Sequence, residues 1–184
     1  LDLLSGEEMV GIDTETRPSF RKGVSWRVGL LQIATRRQAF LFRLNSIGLP
    51  KPLIDFLQSD NSIKVGLSLD DDIRALKRRY TKLKPAAMAD LQQMVATFGV
   101  KDQSLRRLTA NFLHHNLSKR QQLSNWNAPK LTIPQQVYAA TDAWVCLKIY
   151  DRMQQLAQSK NFILQQTEPA AADSSTEPNT QSDS

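Results

Sequence analysis

Two hydrophobic periods run along this chain, and together they predict its elements. Segments in which apolar and polar residues alternate, or in which a short apolar run is bounded by turn residues, read as strands: "MVGIDTE" (9–15), "VGLLQIAT" (28–35), "QAFLFRL" (38–44) and "SIKVGLSL" (62–69). Apolar residues three and four apart predict helices in "PLIDFLQS" (52–59), "DDIRALKRRY" (71–80), "MADLQQMVATFG" (88–99), "SLRRLTANFL" (104–113) and "PQQVYAATDAWVCLKIYDRMQQLAQ" (134–158). Three strands on short connections, then a strand bracketed by helices, imply an α/β fold with a mixed central sheet flanked by helices. No internal repeat is visible.

The last helix has a readable start. Thr132 fits the N-cap, Gln135 three residues on completes a capping box, and Pro134 falls in the first turn, where a missing N–H costs little. In that register Tyr138, Asp142, Val145, Ile149, Met153 and Leu156 form one stripe, apolar or aromatic throughout except for Asp142. A carboxylate on a buried stripe is costly unless it meets a cation or a metal ion. In "LSLDDDIRALKRRY" the apolar stripe is Leu69, Ile73, Leu76 and Tyr80, and Asp72 falls within it. Asp70 and Asp71 fall toward solvent near the helix N-terminus, where the macrodipole favours acids, with Ser68 as a candidate cap.

Composition adds the class of partner. At 184 residues the chain suits one domain, and nothing in it approaches the roughly 18 consecutive apolar residues of a membrane span. From Thr167 to Ser184 the sequence holds no large apolar residue and no Lys or Arg, which predicts a disordered polar tail after a domain of residues 1–166. Four of the 18 acidic residues lie in that tail, so residues 1–166 carry all 24 basic side chains against 14 acidic ones, a net charge of +10. A body that positive is expected to attract polyanions, nucleic acid first, with a merely solubilising surface as the alternative. The single cysteine, Cys146, excludes an internal disulfide and a Cys-based zinc site, and points to a reducing compartment, cytoplasmic or, in a eukaryote, nuclear. A first residue of Leu is expected of a piece of a longer chain, and no signal peptide is read from it.

Against this basic background stand four acids at inward positions. Asp13 and Glu15 are two apart on a strand and so project to one face, and Asp72 and Asp142 sit on the inner stripes of helices. Each taken singly has an ordinary reading: a surface pair for Asp13 and Glu15, a helix N-terminal charge for Asp72, an arginine partner for Asp142, a core aromatic for Tyr138. Taken together, unpaired, the acids would repel one another and some would stay protonated, a conflict that divalent metal removes. Oxygen ligands without His or Cys suit Mg²⁺ or Mn²⁺, with water and substrate phosphate completing the shell. Two such ions about 4 Å apart would serve an in-line displacement at phosphorus, and Tyr138, one turn before Asp142, would orient the attacking water.

These residues carry a resemblance. "GIDTET", "KVGLSLDDDIRAL" and "YAATDAW" resemble the three motifs of the DEDD superfamily of 3′-5′ exonucleases, whose fold is ribonuclease H-like. Tyr138, four residues before Asp142, is similar to the tyrosine (DEDDy) branch, and "VGLLQIAT", "SLRRLTANFL" and "LSNWNAPKLT" resemble connecting segments of ribonuclease D and of the Werner-type exonuclease domain, so the similarity spans roughly residues 8–156. The resemblance implies that Asp13, Glu15 and Asp142 bind a first metal ion, that Asp13 bridges to a second held by Asp72 through water, and that Tyr138 positions the nucleophile. It implies a two-metal 3′-5′ exonuclease that releases nucleoside 5′-monophosphates from a single-stranded 3′ end of DNA or RNA, with no organic cofactor and no membrane partner. The alternative is a non-catalytic nucleic-acid-binding module on the same fold.

Four further features enter as candidates. His114 and His115 are adjacent on a helix, about 100° apart, a poor metal pair that suits the surface better. Trp126 in "SNWNAP" suits packing before base stacking, and Lys77, Arg78 and Arg79 suit a solvated helix face before phosphate contact. Gln32 can point from its strand toward the cleft, though nothing in the pattern forces it.

Overall fold

The computed structural model describes Leu3, Leu4 and residues 6–159; the polar tail expected from Thr167 lies outside the described residues. Five strands, β1 (Met9–Glu15), β2 (Leu30–Ala34), β3 (Ala39–Arg43), β4 (Ile63–Gly66) and β5 (Met88–Asp90), form one sheet in the order β3-β2-β1-β4-β5. The first three run antiparallel and the last two pair parallel with their inner neighbours, so the sheet is mixed, as expected. The helices are α1 (Leu44–Ile47), α2 (Lys51–Gln58), α3 (Leu69–Lys77), α4 (Leu91–Ala96), α5 (Leu105–Leu113) and α6 (Ile133–Gln158). None of the described helices is long and apolar enough to cross a membrane.

Alternation along the strands sorts the core onto two sides. Val10, Ile12, Leu31 and Ile33 project to one face and pack with Leu53 and Leu57 of α2 and Leu69 and Leu76 of α3. On the other side lies α6, which joins Val65 of β4 to α4 and α5 through Cys146, Ile149 and Met153. Gly11 sets how closely α6 approaches: a Cβ at this position would drive into the Ala143 carbonyl oxygen. Because the sheet lies beneath α6 and α5 beside it, the helix buries Gln135, Ala139, Ala143 and Leu147 as well as Asp142, Val145, Ile149 and Met153. The buried surface is therefore broader than the single stripe expected.

Three local expectations are corrected. "MADLQQMVATFG" is not one helix: Met88, Ala89 and Asp90 pair with Lys64, Val65 and Gly66 as an edge strand, and the Asp90 side chain then caps α4 by accepting the Gln92 N–H at 2.8 Å. The third strand stops at Arg43 because Leu44 opens α1, which Gly48 ends with a positive φ of 66°. Ser68 stands at the N-cap of α3 but makes no side-chain cap; it takes a left-handed conformation, and the Asp90 carboxylate accepts the N–H groups of Ser68 (3.0 Å) and Leu69 (2.8 Å) instead. At α6, by contrast, the capping box of Thr132 and Gln135 forms as expected.

Candidate active site

β1 and α6 together build the acidic centre. Asp13 and Glu15 project from the same face of β1, and α6, held close at Gly11, brings Asp142 over them. One carboxylate oxygen from each of Asp13, Glu15 and Asp142 lies within 4.8 Å of the others. Glu15 is 9 % exposed and Asp142 8 %. Asp72 is outside this trio. Its carboxylate accepts a hydrogen bond from the Thr14 hydroxyl, whose side chain alternates to the opposite face of β1. Asp70 and Asp71 are exposed, and Asp71 pairs with Arg74, which leaves Asp72 as the inward acid of the three.

The electrostatics are those of repelled, desolvated anions. Burial, followed by the charges of Asp72, Glu15 and Asp142, pushes Asp13 well above the usual carboxylate range. Glu15 is pushed up to about 9, by burial and then by Asp142 and Asp72. Asp72 rises to about 7, chiefly through burial, against the opposing Thr14 hydrogen bond. Asp142 rises to about 6 for the same reason, against the hydrogen bond it receives from Tyr138. Tyr138 itself is pushed up, by burial and then by the charges of Asp142 and Glu15, so at neutral pH it is a phenol and a proton donor. Among the described residues no cation pairs with Asp13, Glu15 or Asp142. A trio of hard oxygens converging without a counter-charge fits a divalent cation.

Trp126 and Tyr138 support each other. The Trp126 ring is fully buried, 6.0 Å from the Tyr138 ring in a small cluster with Leu30, Leu131 and Ala139, so it packs under the loop as expected. Two cavities open onto Tyr138 and Asp142. One, of about 390 Å³, has Arg120, Ile133 and Val137 in its walls, and the other, of about 220 Å³, has Leu67, Ser104, Arg106 and Lys119. A third, of about 820 Å³, adjoins Thr14 and Asp72 and is rimmed by Lys77 and Arg78. Arg79 departs from the expected solvated face: it is partly buried and donates to the Val28 carbonyl at 2.6 Å and to Asn45. His114 and His115 are both exposed, with His114 in the left-handed conformation that ends α5.

The 3′-5′ exonuclease family pattern matches residues 1–158. The chain belongs to this family. Its relatives include the Drosophila melanogaster exonuclease 3′-5′ domain-containing protein 2, 34% identical over 139 residues (73% of this chain, 24% of the relative). They also include the bifunctional 3′-5′ exonuclease/ATP-dependent helicase WRN of Mus musculus, 30% identical over 173 residues (90% of this chain, 12% of the relative). The chain thus spans about a quarter or less of the length of these two curated relatives. Among solved structures, Escherichia coli RNase D is similar with a TM-score of 0.72 at 20% identity (86% of this chain, 42% of that one). Brucella melitensis NrnC with bound Mg2+ is similar with a TM-score of 0.70 at 19% identity (85% of this chain, 76% of that one). The ribonuclease H-like fold and the likeness to ribonuclease D and the Werner-type domain are as the motifs implied.

Within this exonuclease-family domain several contributors escaped the sequence reading. Thr14, between the two acids of β1, anchors Asp72, and only the tertiary contact reveals it. Asp90 fixes the start of α3, and hence the placement of Asp72; an acid directly before the periodic run "LQQMVA" is an N-cap signal that could have found it. Arg106, Lys119 and Arg120 reach the cavity walls from helix and loop positions without a distinguishing spacing.

Proposed function

We propose that the domain is a divalent-metal-dependent 3′-5′ exonuclease that hydrolyses the terminal phosphodiester of a DNA or RNA strand and releases a nucleoside 5′-monophosphate. The observation that carries the reading is the convergence of Asp13, Glu15 and Asp142 within 4.8 Å, largely shielded from solvent and, among the described residues, without a cationic partner, beside Tyr138. Asp13, Glu15 and Asp142 would hold one ion, and Asp72, with Asp13 between, a second. Magnesium or manganese bound there supplies Lewis acidity for both the attacking water and the departing oxygen. The Mg2+ in the similar NrnC structure supports that choice of metal.

The chain's own groups then do the positioning. Tyr138, still protonated, donates to Asp142 and presents its oxygen to the incoming water, so it orients rather than deprotonates. Water adds to phosphorus, the bond to the penultimate 3′-oxygen breaks, and that oxygen leaves with a proton. Arg106, Lys119 and Arg120 in the cavity walls, with Lys77 and Arg78 on the Asp72 side, offer charge to the strand's remaining phosphates. The test is Asp142→Ala on a 5′-labelled single strand with Mg²⁺ or Mn²⁺. Wild type should shorten the strand from its 3′ end and stop on adding EDTA, while the variant keeps its circular dichroism and leaves the strand intact. Strand retention unaffected by EDTA, with no shortening by wild type, would instead establish a binding module.

A further inference from the structure

Gln32 of β2 is fully buried, and neither its side-chain oxygen nor its side-chain nitrogen has a hydrogen-bond partner. An orphaned buried amide costs stability, so its retention in an otherwise apolar strand calls for a reason. The sheet register restricts what that reason can be. Gln32 lies directly opposite Asp13 on β1 and directly opposite Leu41 on β3. Along its own strand its same-face neighbours are Leu30 and Ala34. Of these four, Asp13 alone has polar atoms to offer. Directly opposed residues bring their Cβ atoms to about 5 Å, within reach of a glutamine side chain. The polar diagonal neighbours are Glu15, a member of the same acidic trio, and Arg43, whose terminal nitrogens donate to the carbonyls of Ala128 and Pro129 and whose buried, unpartnered Nε is a donor that can meet the Gln32 oxygen but cannot accept its N–H.

We propose that Gln32 is a positioning residue for the metal centre: its amide N–H is reserved for the Asp13 carboxylate and holds that group in the orientation in which it ligates. This rests on the exonuclease reading above and adds to it a residue that touches neither substrate nor ion. A donor behind a ligating carboxylate fixes the ligand's rotamer, and losing such a partner weakens metal binding about tenfold or more.

The experiment uses two apolar replacements of similar size, Gln32→Leu and Gln32→Met, so that one poorly fitting side chain does not decide the outcome. Mn²⁺ binding is followed by titration calorimetry, and the melting temperature is measured in EDTA. The expected result is a Mn²⁺ dissociation constant raised about tenfold or more in both variants, with a metal-free melting temperature equal to or above that of wild type because the orphaned amide is gone. Wild-type Mn²⁺ affinity in either folded variant overturns the proposal while leaving the exonuclease reading intact. A loss of affinity accompanied by a lowered metal-free melting temperature also overturns it, because Gln32 would then be supporting the core. A wild-type domain that binds no Mn²⁺ overturns both readings.

Discussion

Glu15→Gln replaces the ionisable carboxyl of a buried member of the acidic trio with a neutral amide of the same size. In wild type, burial and then the charges of Asp142 and Asp72 raise Glu15 from an ordinary 4.5 to about 9. A group that binds its proton more tightly in the folded chain than in the unfolded one gives its full stabilising contribution below pH 4.5, and that contribution is lost as the pH rises toward 9. By pH 7 the loss is about 3 kcal/mol, at about 1.4 kcal/mol per pH unit above 4.5. With only 9 % of Glu15 exposed, water screens little of it. The Glu15→Gln variant carries no such proton and escapes the loss. In EDTA it should therefore be more stable than wild type by about 3 kcal/mol at pH 7 and by less than about 1 kcal/mol at pH 5. In a chain of this size, 3 kcal/mol is a melting-temperature gain of about 6 to 12 °C. Urea melts followed by circular dichroism at pH 5, 6, 7 and 8 measure it, and Mn²⁺ should reverse the order if Glu15 is the metal ligand proposed above. A stability difference that stays constant with pH, or a variant weaker than wild type at pH 7 in chelator, would refute the reasoning.

Other parts of the site give their own tests. Tyr138→Phe should lower turnover about 100-fold while leaving Mn²⁺ affinity unchanged, as the proposed role of orienting water without binding an ion requires; rate assays and calorimetry on the same preparation separate the two. Gly11→Ala should cost about 3 kcal/mol in urea denaturation, the upper part of the range for overpacking, because the added methyl meets the Ala143 backbone rather than a side chain that can turn away. The same variant should bind Mn²⁺ more weakly as α6 is displaced from β1. Arg106→Glu and Lys119→Glu should each weaken single-strand binding and reduce the steepness of its logarithmic salt dependence by about 0.7 for every phosphate that the variant no longer neutralises, measured by fluorescence titrations at several salt concentrations. An unchanged salt dependence would remove these side chains from the strand's path.

How much the sequence disclosed follows from the range of the forces involved. The span of β1 and the start of α6 were legible because each is written locally, in alternation over "MVGIDTE" and in a capping box whose two members are three residues apart. The acids of those two elements were legible with them, since strand and helix periods determine which way a side chain projects. β5 was not: three residues at a sheet edge owe their conformation to β4, and the Asp90 cap that separates them from α4 was read as helix interior. The hydrogen bond from Thr14 to Asp72 joins residues 58 apart, and the guanidinium of Arg79, two residues past the end of α3, is drawn inward by Val28 and Asn45. Neither interaction has a signature in local spacing.

The meeting of Gly11 with the Ala143 carbonyl has an evolutionary corollary. A gap whose tightest contact is main chain depends little on the side chains farther along the helix, so descendants of this domain can exchange Cys146 or Ile149 for other apolar residues and still carry Asp142 at the same height above Asp13 and Glu15. Drift in the interior and constancy of the acidic cluster are then compatible, provided that position 11 stays without a side chain.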